Sequence, residues 1–530
     1  MHRLTTLAAA SLALVLTPAA AAQTAPQATS KDFVPYPDAP AVTYHSVDVN
    51  AQTIHYQATA GTLVLAEGRD YEPAARIFYV AYRRMNAPLP DPGPAEHGAE
   101  APPAPPTPDF PDPAARPLTF SFNGGPGSSS VWLHLGVFGP RRVDHADDFG
   151  NPGPPPHQVV NNEFSLLDKS DFVFIDPVST GYSRAQGDKS EKAYHGVNED
   201  IASVAEFIRL YLGRENRWAS PRFLAGESYG TTRAAGLARE LQNTHGIATN
   251  GIILVSAVLN FQTIRFDVGN DLPHVLYLPS FAAVAHYHEK LSPEQQARPL
   301  REFLTEVENF AATDYTLALM QGGALPEAEA DAIAERVAAY TGLTPEYVRR
   351  SNLRPDMPRF PKELLRDRGL TVGRLDARYT AQDRDDAGDT YEFDPSMTAI
   401  KSIYTESLND YLRRDLEYNS DLRYEILTSV WPWSYRGTGD NRYTNVAEHL
   451  RETMQQLPFM RVFVASGYHD LATPYFATEY TMNHLMVRPA LRDNIEIHEY
   501  EAGHMMYTHR PSLEKLKRDL DGFYDRTIPE

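Results

Sequence analysis

Residues 221–246 read PRFLAGESYGTTRAAGLARELQNTHG, and the order of residue types in this stretch decides the fold. RFL is a short apolar strand, Gly226-Glu227-Ser228-Tyr229-Gly230 a tight turn, and TTRAAGLAREL a helix closed by Gly246. A G-x-S-x-G turn between strand and helix is the sequence form of a nucleophile elbow. Small residues at both ends permit a strained turn, which lifts the serine hydroxyl out at the strand's carboxyl end. The helix begins at the serine, so its first amides and its dipole favour negative charge there. An ordinary strand–helix turn would have the same glycines, so the flanking pattern has to be read with it.

The same unit recurs on either side. PLTFSFNGGPG (117–127), SDFVFIDP (170–177) and GIILVSAVLN (251–260) are short buried-type strands. NEDIASVAEFIRLYLGREN (198–216) is helical, with Ile201, Val204, Ala205, Ile208 and Leu212 on one face. Strand–turn–helix units from about 118 to 260 predict an α/β-hydrolase-type fold, a mostly parallel sheet covered by helices. Upstream, residues 42–84 alternate in short β-branched and aromatic runs and predict antiparallel strands. The proline-rich 86–117 predicts an extended, solvated loop. Downstream, 261–430 holds helical runs without matching strands, an inserted helical cap. MRVFVASGYHD and NIEIHEY then resume the sheet, and a final amphipathic helix closes the chain. The domain reading is a signal peptide over 1–22, core over 23–260, cap over 261–430 and core again over 431–530.

The signal peptide rests on His2 and Arg3, the apolar run LTTLAAASLALVLT, and small residues at Ala20 and Ala22 that suit cleavage before Gln23. The run is short for a hydrocarbon core of about 30 Å, and no later stretch is apolar enough to span one, so an exported protein without a membrane span is expected, periplasmic or secreted. Zero cysteines in 530 residues exclude disulfides, a thiol nucleophile and thiolate metal sites. A formal net charge of −20 argues against a nucleic-acid partner, which it would repel. No cofactor and no metal are expected; His286 and His288, two apart in HYHEK, would not share a helical face. Oligomeric state is not legible.

A serine nucleophile needs a base, and the base an orienting acid, in the chain order Ser, Asp, His for this fold. Asp470 ends the strand RVFVASGYHD, and His504 follows the strand NIEIHEY, both in loops past strand carboxyl ends. His469, His498 and His509 compete as bases, Asp267 and Asp271 as acids. The glycines of Asn123-Gly124-Gly125-Pro126-Gly127 let backbone N–H groups face an anion, which assigns Gly125 N–H and Tyr229 N–H as an oxyanion hole. Tyr182 and Trp431-Pro432-Trp433 are placed as rim or packing residues.

NGGPGSSS (123–130), GP at 139–140, DFVFIDPVSTGYS (171–183), GESYG, SGYHD and AGHM (502–505) stand in the order of the serine carboxypeptidase family, which the chain resembles over roughly 118–260 and 455–515. The resemblance implies removal of single residues from peptides with a free C-terminus. It implies attack by Ser228, proton transfer by His504 oriented by Asp470, and oxyanion donors at Gly125 and Tyr229. It also implies recognition of the substrate carboxylate by Asn123 and a protonated Glu227. Three positions depart from the family pattern: Ser121 replaces a tryptophan, Val137 a glutamate that would pair with Glu227, and Tyr468 a frequent aspartate. A serine esterase on the same scaffold is the alternative these departures leave open; a noncatalytic exported binding protein is a third reading.

Overall fold

The computed structural model describes residues 33–89, 107–436 and 443–528. The expected signal peptide and most of the proline-rich stretch lie outside these residues.

Nine strands make the main sheet: β1 (Ala41–Val49), β2 (Gln52–Glu67), β3 (Glu72–Met85), β4 (Leu118–Phe122), β5 (Asp171–Ile175), β6 (Arg222–Glu227), β7 (Gly251–Val255), β8 (Arg461–Gly467) and β9 (Ile495–Tyr500). Their spatial order is β1-β2-β3-β5-β4-β6-β7-β8-β9, with a two-residue strand, Arg184–Ala185, added beside β3. β1 to β3 pair antiparallel, and β3 meets β5 antiparallel. From β5 to β9 every pairing is parallel. β4, β5 and β7 are buried at every position, the polar Thr119, Ser121 and Asp171 included, because helices cover both faces of the sheet.

On one face lie α1 (Val197–Arg214) and α2 (Tyr229–His245), sharing a core with Leu224, Ile252 and Val464. The chain continues into α3 (Leu272–Tyr287), α4 (Leu300–Phe310) and α5 (Glu327–Thr341). These three build a separate core with Tyr468, Leu471 and Tyr475. Next come α6 (Pro395–Arg414), α7 (Ala447–Gln456), α8 (Tyr475–Asn483) and α9 (Arg510–Thr527). α6, Leu416–Ile426 and α9 bury apolar side chains against the sheet face opposite α1 and α2. The stretch 261–430 is therefore two bodies: α3 to α5 on their own core, and α6 onward on the sheet.

The tail of the proline-rich stretch differs from the solvated loop expected of it. Asp109 accepts from the Asn86 N–H, Phe110 lies under the Arg83 guanidinium, and Arg116 is buried with its Nε 2.9 Å from Asp171 Oδ1. A buried carboxylate at the start of β5 needs cations, and Arg217 Nη1 supplies the second at 2.6 Å.

Among the described residues no helix is long and apolar enough to cross a membrane.

Candidate active site

Register aligns the strand ends so that Phe122 faces Gly226, Glu227 faces Val255, and Val255 faces Ala465. Asn123, Ser228 and Asp470 follow carboxyl ends of these strands, and His504 follows that of β9, whose Tyr500 faces Gly467, where an open sheet leaves room for a site. Ser228 sits at φ 60°, ψ −129°, outside the comfortable regions of a residue with a Cβ. The turn is held by its neighbours: Ser228 N–H donates to Val255 O at 3.0 Å, and Thr231 N–H to Ser228 O at 2.9 Å. A Cβ on Gly226 would lie 2.1 Å from Gly230 O, and one on Gly230 2.8 Å from Phe122 O, so both glycines are required by close approach.

His504 Nδ1 lies 2.7 Å from Asp470 Oδ2, and both residues are buried. Asp470 also accepts from the Ala472 N–H (2.7 Å), the Thr473 N–H (3.0 Å) and the Thr473 hydroxyl (2.6 Å). Such donors fix the carboxylate in position and aim it at the ring. The His504 loop is pinned by its N–H to Leu375 O (2.6 Å) and by Ser256 Oγ to His504 O (2.6 Å). Burial opposes the imidazolium, yet the charge and hydrogen bond of Asp470 raise the His504 pKa on balance. Ser228 and His504 line one cavity of about 240 Å³. No hydrogen bond joins the Ser228 hydroxyl to His504 in this structure, a gap that apo serine enzymes tolerate. A larger hollow of about 750 Å³ beside Asp271 and Arg354 is lined by His274 and Ser351, but His274 Nδ1 faces Pro355 O at 3.1 Å and Ser351 Oγ donates to Val348 O at 2.9 Å.

Gly125 adopts φ +102°, and a Cβ on Gly124 would stand 2.4 Å from Tyr229 N. The two expected oxyanion donors thus belong to backbones in direct contact. Ser228 makes no side-chain capping bond, so its hydroxyl does not occupy the first amides of α2.

Asn123 and Glu227 line the same cavity. Asn123 Oδ1 accepts from the Leu133 N–H at 3.0 Å, while its buried Nδ2 has no partner of good geometry, although it lies near enough to Glu227 to favour the carboxylate. Burial pushes the Glu227 carboxyl up to about 7, against the opposing charge of His504 and a 2.5 Å hydrogen bond from the Tyr507 hydroxyl. Val137, where the resemblance places a partnering glutamate, is buried in the turn His134–Phe138. Desolvation, without that second carboxyl, therefore raises Glu227.

The competing residues are engaged elsewhere. His469 packs edge-on to Tyr287 and is pushed down to about 3 by burial; His498 stacks on Phe463; His509 Nδ1 lies 2.8 Å from Ser512 Oγ. Asp271 pairs with Arg354, and Asp267 accepts from Tyr443. His286 and His288 each face a backbone carbonyl, of Arg298 and Ala377. Tyr182, read as a rim residue, is buried against Phe78, Tyr418 and Tyr424. Trp433 packs on the Tyr229 ring, while Trp431 is exposed.

Sequence reasoning missed Thr473, Tyr507 and Arg374. Thr473, three residues after an aspartate, carries a local turn signal that could have been found. Tyr507 and Arg374 have none, because they reach the site through the tertiary fold.

Curated relatives match over a short span. Carboxypeptidase Y homolog A of Podospora anserina is 32% identical over 22% of this chain and 19% of its own length. The pheromone-processing carboxypeptidase KEX1 of Yarrowia lipolytica is 31% identical over 26% of this chain and 21% of its own. The chain thus covers about a fifth of these relatives. Among solved structures, Kex1(delta)p, a prohormone-processing carboxypeptidase from Saccharomyces cerevisiae, shares the α/β-hydrolase fold. Its TM-score is 0.52 at 16% identity, covering 88% of this chain and 91% of that one. The family described as serine carboxypeptidase matches residues 108–510, a span that holds Asn123, Ser228, Asp470 and His504 together. With more than half of its length so matched, the chain belongs to the serine carboxypeptidase family.

Proposed function

We propose that the protein is an exported serine carboxypeptidase that removes the last residue of peptides with a free C-terminus. The observation that carries this reading is one cavity lined by Ser228, His504, Asn123 and Glu227. A nucleophile and base stand there beside a buried carboxyl able to hold a proton. Ser228 Oγ attacks the carbonyl of the last peptide bond while His504 Nε2 takes its proton. Asp470 holds Nδ1–H and stabilises the imidazolium. The Gly125 and Tyr229 N–H groups answer the developing oxyanion. His504 then protonates the leaving amine, the terminal residue departs, and water repeats the sequence on the acyl-enzyme. Asn123 Nδ2 and protonated Glu227 donate to the substrate's terminal carboxylate.

The leader 1–22 directs export, and 261–430 is the insertion that covers the core formed by 23–260 and 431–530. A serine esterase remains the second reading, favoured by Val137 and by Ser121, whose buried Oγ has no partner. The test uses one N-blocked dipeptide and its C-terminal amide, with a Ser228→Ala control. Release from the free acid alone, lost in the control, is expected. Equal turnover of acid and amide would sink the exopeptidase reading; hydrolysis of a small acyl ester with peptides untouched would establish the esterase.

A further inference from the structure

The cavity that holds Ser228 and His504 is also lined by Arg374, a residue from the stretch between α5 and α6. Its backbone is tied to both loops of the site. Arg374 O accepts from the Leu471 N–H at 3.0 Å, and the next carbonyl, Leu375 O, accepts from His504 N–H at 2.6 Å. The backbone that carries this side chain is therefore fixed relative to Asp470 and His504.

Most arginines of the neighbouring stretch, Arg368 aside, are paired. Arg354, Arg359, Arg366, Arg378 and Arg384 each pair with a carboxylate. The Arg374 guanidinium has no ion pair and no hydrogen bond among the described residues, although the residue is only half-exposed. Asp394, the nearest acid in its contacts, is turned to the backbone: Oδ1 takes the N–H groups of Arg374 and Ser396 at 3.0 Å each, and Oδ2 the Leu375 N–H at 3.4 Å. The charge of Arg374 reaches into the site, where it acts against protonation of His504. A guanidinium presents a planar fork of donors that suits a carboxylate, and with no protein partner this one is free to take a ligand's.

We propose that Arg374 binds a carboxylate carried by the last residue of the substrate. This rests on the carboxypeptidase reading. Two sources share the chemistry: the main-chain terminal carboxylate, and the side chain of a C-terminal Asp or Glu. Arg374 supplies a permanent cation to a cavity in which Asn123 and Glu227, the other groups assigned to the carboxylate, donate only as neutral groups.

The test separates binding from turnover. Full-length Ser228→Ala protein, alone and combined with Arg374→Met or Arg374→Lys, is titrated calorimetrically with N-blocked dipeptides ending in Leu, Leu-amide, Glu and Gln. Thermal melts check that each variant is folded. Removing the guanidinium is expected to weaken binding of a free carboxylate by about ten- to a hundredfold, with part of the loss restored by lysine. A loss shared by the Leu, Glu and Gln acids and absent from the amide assigns the main-chain carboxylate. A loss confined to Glu assigns the side chain. Equal affinities with and without Arg374, or no binding of any free acid, overturns the proposal. Turnover of the same peptides by protein with Ser228 intact is read separately. Arg374-dependent binding without release of a terminal residue would discard the carboxypeptidase reading and leave the carboxylate site standing.

Discussion

Replacing Tyr507 by phenylalanine should move the alkaline limb of activity to higher pH. The Tyr507 hydroxyl donates to Glu227 Oε2 at 2.5 Å in a fully buried pair. That bond favours the carboxylate and works against the burial that raises the group to about 7. A hydrogen bond to a charged group contributes about 1.5–3 kcal/mol, and one pKa unit corresponds to about 1.36 kcal/mol. Loss of the hydroxyl should therefore raise the Glu227 pKa by about one to two units. Protonated Glu227 is the form that donates to a substrate carboxylate, so activity falls as pH rises through its pKa, and a higher pKa carries the fall upward. The ring itself stays, because a phenylalanine fills the same space over Gly136, whose Cβ position lies 2.3 Å from Tyr507 Cε2. The assay is kcat/KM against pH for a free-acid dipeptide, with an ester of the same acyl group as a control that lacks the carboxylate. A limb that stays in place, moves toward acid, or moves equally for the ester would refute the assignment of Glu227 to the carboxylate.

Asp470→Asn should lower kcat by about ten-thousandfold while leaving the fold intact, because the amide presents the wrong partner to Nδ1; loss of the fold in a thermal melt would place Asp470 in a structural role instead. Gly124→Ala places a Cβ 2.4 Å from Tyr229 N and 2.6 Å from Gly230 N, both backbone. Displacing an oxyanion donor should reduce kcat by about a hundredfold or more, and an unchanged kcat would remove Tyr229 N–H from the oxyanion hole. Glu479→Gln should stabilise the protein at alkaline pH. Burial first, then Glu499 and Glu308, raise the Glu479 pKa above its unfolded value. Its stabilising contribution is thus fully present below the usual carboxylate range and lost as pH rises through the raised value. Denaturant melts should show a smaller alkaline loss in the variant, and parallel curves would count against the cluster.

How much of the protein was legible in the residues themselves follows from the range of the forces involved. The short, largely apolar runs at 118–122, 171–175 and 251–255 read as buried strands, and GESYG between RFL and an amphipathic helix fixed a strained turn locally. Asp470 and His504 could be named as candidates because each follows a strand end, and strand ends are written in the apolar pattern. The antiparallel start at 42–84 was readable for the same reason. Burial and partnership across the chain were not. Tyr182 stands in a sequence that suits a rim, yet Tyr418 and Tyr424, more than two hundred residues away, close over it. Arg116 looked solvated beside prolines until Asp171 required its charge. Tyr507 on Glu227, and Arg374 beside His504, depend on loops meeting across the top of the sheet. The sequence alone determined the scaffold and the order of the candidate site residues along it, because periodicity and turn chemistry act over a few positions. Only the tertiary structure decided which carboxyl is held near 7 and which cation faces the cavity, because desolvation and charge act between groups that the chain brings together only by folding.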